Sequence, residues 1–202
     1  MSSPVVNTNS ASGWRFGVYW ILLTVGGCAM GSLVANAAAH HMPDSIRNEI
    51  GWTVHGACVG IAQWLVLRKH IRAARFWPPT CAAAWLTGQL LFVPGSSFVY
   101  ALLTLLTGEA RHSLQGPAIG MAVGIGIGVV QWLLLRREVK GCAWWILATA
   151  LAWALFYIPE DSGPASLTNA IVLGILTGLL TAIILLWRVR KPSSTLESMV
   201  RA

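Results

Sequence analysis

The sequence predicts an all-α integral membrane protein, with six transmembrane helices arranged as three helical hairpins with internal parallel repeats. Three observations carry this. Of the 202 residues, 55% are hydrophobic and only 10% are charged, where a soluble domain carries about a quarter charged. Six apolar runs contain no Asp, Glu, Lys or Arg, and each approaches the ~20 residues that a helix needs to cross a hydrocarbon core. Basic residues gather at every second link between those runs.

In chain order, a Ser/Asn-rich tail over residues 1–15 ends on Trp14 and Arg15 and leads into the first span, Phe16–Ala39. Within it, Ala35-Asn36-Ala37 resembles a signal-peptidase site. The apolar run exceeds the ~7–15 residues of a signal h-region, so an uncleaved helix is expected. The second span, Gly51–Leu67, ends on Arg68 and Lys69, and the third, Phe76–Val93, follows Arg72 and Arg75. The link from Val93 to Pro117 is too long for a hairpin turn. Its Phe98–Leu106 portion is apolar but too short to span, and is expected to lie on the outer surface or to dip partway in. The fourth span, Pro117–Leu135, ends on Arg136, Arg137 and Lys140, and is followed by Gly141–Ile158 and Ala165–Trp187. Residues 16–187 thus form the membrane domain, and the tail over 188–202 adds Arg188, Arg190, Lys191 and Arg201.

Twelve of the fourteen basic residues fall on one side of this arrangement, and only Arg47 and Arg111 on the other. Asp44, Glu49, Glu109, Glu160 and Asp161 share that second side. The positive-inside rule then places both termini in the cytoplasm of a multi-pass protein of a bacterial inner membrane. In a soluble chain the net charge of +7 would point to nucleic acid. Here its placement at span ends explains it, and no nucleic-acid partner is expected.

A shift of 68 positions superimposes Gly56, Gly60, Gln63, Trp64, Leu65, Leu67 and Arg68 on Gly124, Gly128, Gln131, Trp132, Leu133, Leu135 and Arg136, and carries Trp77 onto Trp145 and Trp85 onto Trp153. Ungapped identity across a helix, a loop and the next helix reads as an internal duplication. Gly174, Gly178 and Thr181 repeat the spacing more faintly. All three copies run from outside to inside, so the repeats are parallel, related by an axis near the membrane normal. The first span carries Gly27 and Gly31 but does not align with the later ascending helices.

Glycines four apart share a helix face and let two backbones approach closely. Gly120, Gly124 and Gly128 form such a ridge. Intramolecular packing is the first expectation, and an outward ridge docking a partner helix is the second. Gln63 and Gln131 lie on the glycine faces, where a buried amide requires a hydrogen-bond partner; a clamp between pseudo-equivalent helices is expected, with Thr181 in the third copy. Trp14, Trp64, Trp77, Trp132, Trp144 and Trp187 cluster toward the basic ends and Trp52 toward the outer end, as an aromatic belt. Trp20, Trp85 and Trp153 lie deeper, as core, lipid-facing or cofactor-contacting residues. His55 is the one histidine well inside a span. It reads as a hydrogen-bonded structural residue or as a ligand to a chlorin or haem, with Trp85 and Trp153 as further cofactor contacts and quinone as another occupant. His40, His41 and His112 lie with Asp44, Glu49 and Glu109 at the outer surface in no metal-ligand spacing, so no metal site is expected. Cys28, Cys58, Cys81 and Cys142 show no CxxC pairing and read as small packing residues. No catalytic signature is present in the sequence, and a non-enzyme is expected.

The element G-x3-G-x2-Q-W-L-x-L-R, over Gly56–Trp85 and Gly124–Trp153, resembles a loose group of bacterial polytopic membrane proteins with no known activity. The resemblance implies architecture alone. The expected function is a non-catalytic accessory, scaffold or assembly subunit, with the lipid bilayer and other membrane subunits as partners. A facilitator for a small neutral or apolar solute, or a pigment- or quinone-contacting subunit, is the alternative.

Overall fold

The computed structural model describes residues 10–39, 41–92, 101, 104–105, 112–136, 138–139, 142–158 and 166–189. Among them there is no strand, and these residues are helical apart from short links. The helices are α1 (Ser10–Ala39), α2 (Asp44–Leu67), α3 (Trp77–Thr87), α4 (His112–Leu135), α5 (Trp144–Phe156) and α6 (Leu167–Val189). A 3-10 turn over Arg72–Phe76 leads into α3, and a π turn over Gly88–Phe92 continues it. The expected link segment over Phe98–Leu106 lies almost wholly outside the described residues.

Four stretches, Gly13–Ala38, Ile46–Leu67, Gly116–Leu135 and Leu167–Leu186, are long and apolar enough to cross a membrane. The other two helices are shorter than their expected spans. The third run divides into the α-helix, whose first turn carries Pro78 and Pro79 where backbone N–H groups need no helical partner, and the π turn. The fifth starts at Trp144 because Cys142 and Ala143 form a turn. Conversely, α2 begins well before the expected Gly51. Pro43 caps it with φ −58° and ψ 144°, and Arg47 and Glu49 ride on its first turns.

Each helix packs on its sequence neighbours, and α6 returns to pack on α1, so the six form a closed ring. The buried core has two parts. One lies where α1, α3 and α5 begin and α2, α4 and α6 end, around Trp20, Leu67, Trp77, Leu135, Trp145 and Leu185. The other lies at the opposite end, around Trp52, Trp85, Val123, Trp153 and Leu173.

Glycine sets the close contacts of the ring. A Cβ on Gly60 would lie 2.9 Å from Pro78 Cα, and one on Gly56 2.6 Å from the Trp85 ring, joining α2 to α3. Gly120, Gly124 and Gly128 press on the α5 backbone at Trp153, Thr149, Ala150 and Ile146. Gly174 and Gly178 press on α1 at Val25 and Ile21. The outward docking ridge is therefore corrected: all seven glycines of the three motifs abut a neighbouring helix within the ring. Gly27 and Gly31 of α1 also press on α2 at Val59 and His55, and the pairs built by the three motifs are α2 with α3, α4 with α5 and α6 with α1. These are descending-then-ascending pairs, and the third is assembled from opposite ends of the chain.

Candidate functional site

The three descending helices present Gln63, Gln131 and Thr181 to the ring axis, each almost fully buried. Each accepts a hydrogen bond from a tryptophan on the ascending helix of its pair. Trp77 Nε1 donates to Gln63 Oε1 at 2.9 Å, Trp145 Nε1 to Gln131 Oε1 at 2.8 Å, and Trp20 Nε1 to Thr181 Oγ1 at 2.8 Å. The three indoles are 1%, 2% and 0% exposed, and Trp145 meets the other two edge-on at centroid distances of 5.9 Å. Together they fill the axis.

The amides also reach backward. Gln63 Nε2 donates to Thr24 Oγ1 on α1 at 3.2 Å, and Gln131 Nε2 to Cys81 Sγ on α3 at 3.3 Å. Thr24 and Thr149 in turn return their hydroxyl protons to Trp20 O and Trp145 O, one turn earlier on their own helices. Reading along the bonds, α5 joins α4, α4 joins α3, α3 joins α2, α2 joins α1, and α1 joins α6. Both bonds of Thr181 are spent on Trp20 and on Thr177 O, and that of Thr149 stays on its own helix. At this level of the ring, the α5–α6 seam is therefore held by packing.

These bonds correct the expected clamp between pseudo-equivalent helices. Gln63 and Gln131 do not meet; each holds the tryptophan fourteen residues further on. They also align α1 with the two later ascending helices. Trp20, Thr24 and Cys28 occupy the positions of Trp77, Cys81 and Trp85 and of Trp145, Thr149 and Trp153. The signal was present as Trp, then Thr or Cys four residues later, on all three ascending helices. Gly31 on α1 likewise meets His55 on α2, as Gly88, after α3, meets Val123 on α4.

The belt assignment is corrected for two residues. Trp77 belongs to the axis, and Trp52, 3% exposed, is core at the opposite end. Trp14 and Trp144 are exposed at 55% and 52%, while Trp64 and Trp132 are half-buried under Arg68 and Arg136. The side chain of Trp187 lies outside the described residues. Cys28, Cys81 and Cys142 are buried and Cys58 half-buried, and none of the four is in a disulfide.

The residues considered as cofactor contacts do come together. His55 stacks on Trp85 at 4.8 Å and 18°, Trp85 meets Trp153 at 4.9 Å, and Trp52 touches all three. Both His55 ring nitrogens are buried without a hydrogen-bond partner, so the expected hydrogen-bonded histidine is also corrected. Yet the arrangement does not fit a macrocycle. Trp85 covers one face of the imidazole, and a Cβ added to Gly31 would lie 3.0 Å from His55 Cγ. The tryptophans occupy the space that a planar ligand would need. Among the described residues no three His, Cys, Asp or Glu side chains are placed to hold a metal. His40 and Glu109 and the side chains of His112 and Asp44 lie outside those described.

Fold and site together define a six-helix ring with a side-chain-filled, hydrogen-bonded axis. No protein-family model, curated protein or solved structure matches the chain.

Proposed function

We propose that the chain is a six-span protein of a bacterial inner membrane, with both termini cytoplasmic, serving as a non-catalytic scaffold or assembly subunit of a larger membrane complex. The observation that carries this reading is the filled axis. Its indoles, amides and hydroxyls bond to one another, so the interior is spent on holding six helices together. The outside supports it too. Leu22, Met30, Ile61, Met121, Leu147, Leu151 and Ile183 are exposed on five helices, an aliphatic surface suited to lipid tails or apolar partner helices. Because the glycine ridges serve the ring itself, partner contacts fall on these aliphatic faces. A solute facilitator is disfavoured because the path along the axis is occupied by Trp20, Trp77 and Trp145.

The test is purification from the native host in mild detergent, followed by mass analysis and an absorption spectrum. Co-purification with other membrane subunits in fixed ratio is expected, with no visible absorption contributed by this chain. Recovery as a lone monomer contradicts the scaffold reading, and a bound pigment would contradict the ring as drawn.

A further inference from the structure

At the end of the ring where α2 and α4 finish, two arginines are held alike. Arg68 Cζ lies 5.0 Å from the Trp64 ring centroid, and Arg136 Cζ lies 5.1 Å from that of Trp132. Each pair is one turn long, and each guanidinium is exposed while its indole is half-buried. Arg15 over Trp14 and Arg75 over Phe76 add two more cations resting on aromatic rings at this end. Lys69 and Arg72 are exposed beside them. One described acid, Glu138, lies among these cations and is held on backbone rather than on a guanidinium. Both Glu138 carboxylate oxygens accept backbone N–H groups, from Arg72 at 2.8 Å and Ala73 at 2.7 Å, which ties the α4–α5 link to the α2–α3 link. Among the described residues, none of these cations is on a carboxylate.

A guanidinium resting over an indole face keeps its N–H donors directed away from the ring and free to bind a pair of oxygens. Tryptophan at the end of an apolar helix marks the depth of lipid headgroups. We infer that this end of the ring is a binding surface for anionic phospholipids, with two equivalent phosphate sites at Trp64/Arg68 and Trp132/Arg136. The inference rests on the membrane reading proposed above. The cations outnumber the one described acid beside them, and anionic lipid supplies the remaining counter-charge. The indole faces fix where each guanidinium waits, so a phosphate is met by a prepositioned fork rather than by a mobile side chain.

The test reconstitutes the full-length chain in vesicles of phosphatidylcholine containing a minor share of phosphatidylglycerol, and measures the protein-retained lipid by native mass spectrometry. Phosphatidylglycerol is expected to be enriched over its bulk share. Because the sites are equivalent, Arg68→Gln or Arg136→Gln alone should remove roughly half of the enrichment, and the double variant most of it. Arg→Lys at both positions, which keeps the charge but loses the fork, should fall between. Raised salt should weaken the enrichment, and added inorganic phosphate should leave it in place, since free phosphate lacks the neighbouring bilayer. Retained lipid at the bulk ratio, or unchanged enrichment in the double Gln variant, overturns the inference and leaves the membrane reading standing. Failure of the chain to insert into any vesicle overturns both.

Discussion

Replacing the buried Gly124 by leucine is expected to force α4 away from α5 and to cause a large loss of stability. A Cβ there would stand 2.6 Å from Thr149 O and 2.7 Å from Ala150 Cα. Both are backbone atoms, so no rotamer change on the neighbour relieves the clash; the helix itself must move. Moving it also breaks the contacts of Gly120 with Trp153 and of Gly128 with Ile146. Overpacking of a core costs about 1–3 kcal/mol and sometimes more, and three backbone contacts in series place Gly124→Leu at the upper end. Gly26 supplies the control. It is exposed on α1, and a Cβ there would meet nothing within 4 Å. Gly26→Ala is expected to stay within ~0.5 kcal/mol of the parent, as surface changes do. Unfolding in mixed micelles measures both, and equal losses at the two positions would contradict the packing described.

Gln63→Leu is the second large effect. It leaves the Trp77 N–H, inside the axis, without its acceptor and removes the donor to Thr24, cutting the joins of α2 to both neighbours. An orphaned buried donor costs about 1–3 kcal/mol, whereas removing both partners of a bond costs less. Trp77→Phe added to Gln63→Leu should therefore recover part of the loss, a coupling that a double-mutant cycle reads directly. Additive losses would mean that the bond carries no energy of its own. The third pair responds alike. Thr181→Val keeps the side-chain volume but leaves the Trp20 N–H without its acceptor, and should cost about 1–3 kcal/mol.

Much of the architecture was legible in the residues. Uncharged runs located the helices, and the spacing of Gly56, Gly60 and Gln63 and of Gly124, Gly128 and Gln131 fixed which side chains share a face. Partners were less legible, because a face does not name what it meets. The bonds from Trp77 and Trp145 cross a turn to the preceding helix, and spacing along one helix carries no information about that crossing. Trp52 and Trp77 show the same limit. Their positions near span ends read as a belt, but rotation about the helix axis turns both inward. The place of α1 was hardest to see. Its pair is α6, with Trp20 and Thr181 separated by 161 positions, and α1 itself carries no Gly-Gly-Gln motif. His55 is the residue that repeat logic serves least. Its equivalents, Val123 and Leu173, are aliphatic, and nothing in the ring gives its two nitrogens a partner.

Ring closure between the chain's first and last helices is the feature on which the six-helix ring depends, and one cross-link measures it. A Cβ on Gly17 would lie 2.9 Å from Leu186 Cδ1 and 3.6 Å from Cγ, so cysteines at Gly17 and Leu186 should fall within disulfide reach once the leucine is shortened. Oxidation of the Gly17→Cys/Leu186→Cys variant in native membranes, followed by proteolytic cleavage between α3 and α4, should leave the two halves covalently joined within one chain and separable by reductant. Halves that separate without reductant, or that are joined only between different chains, would show that α1 does not complete the ring.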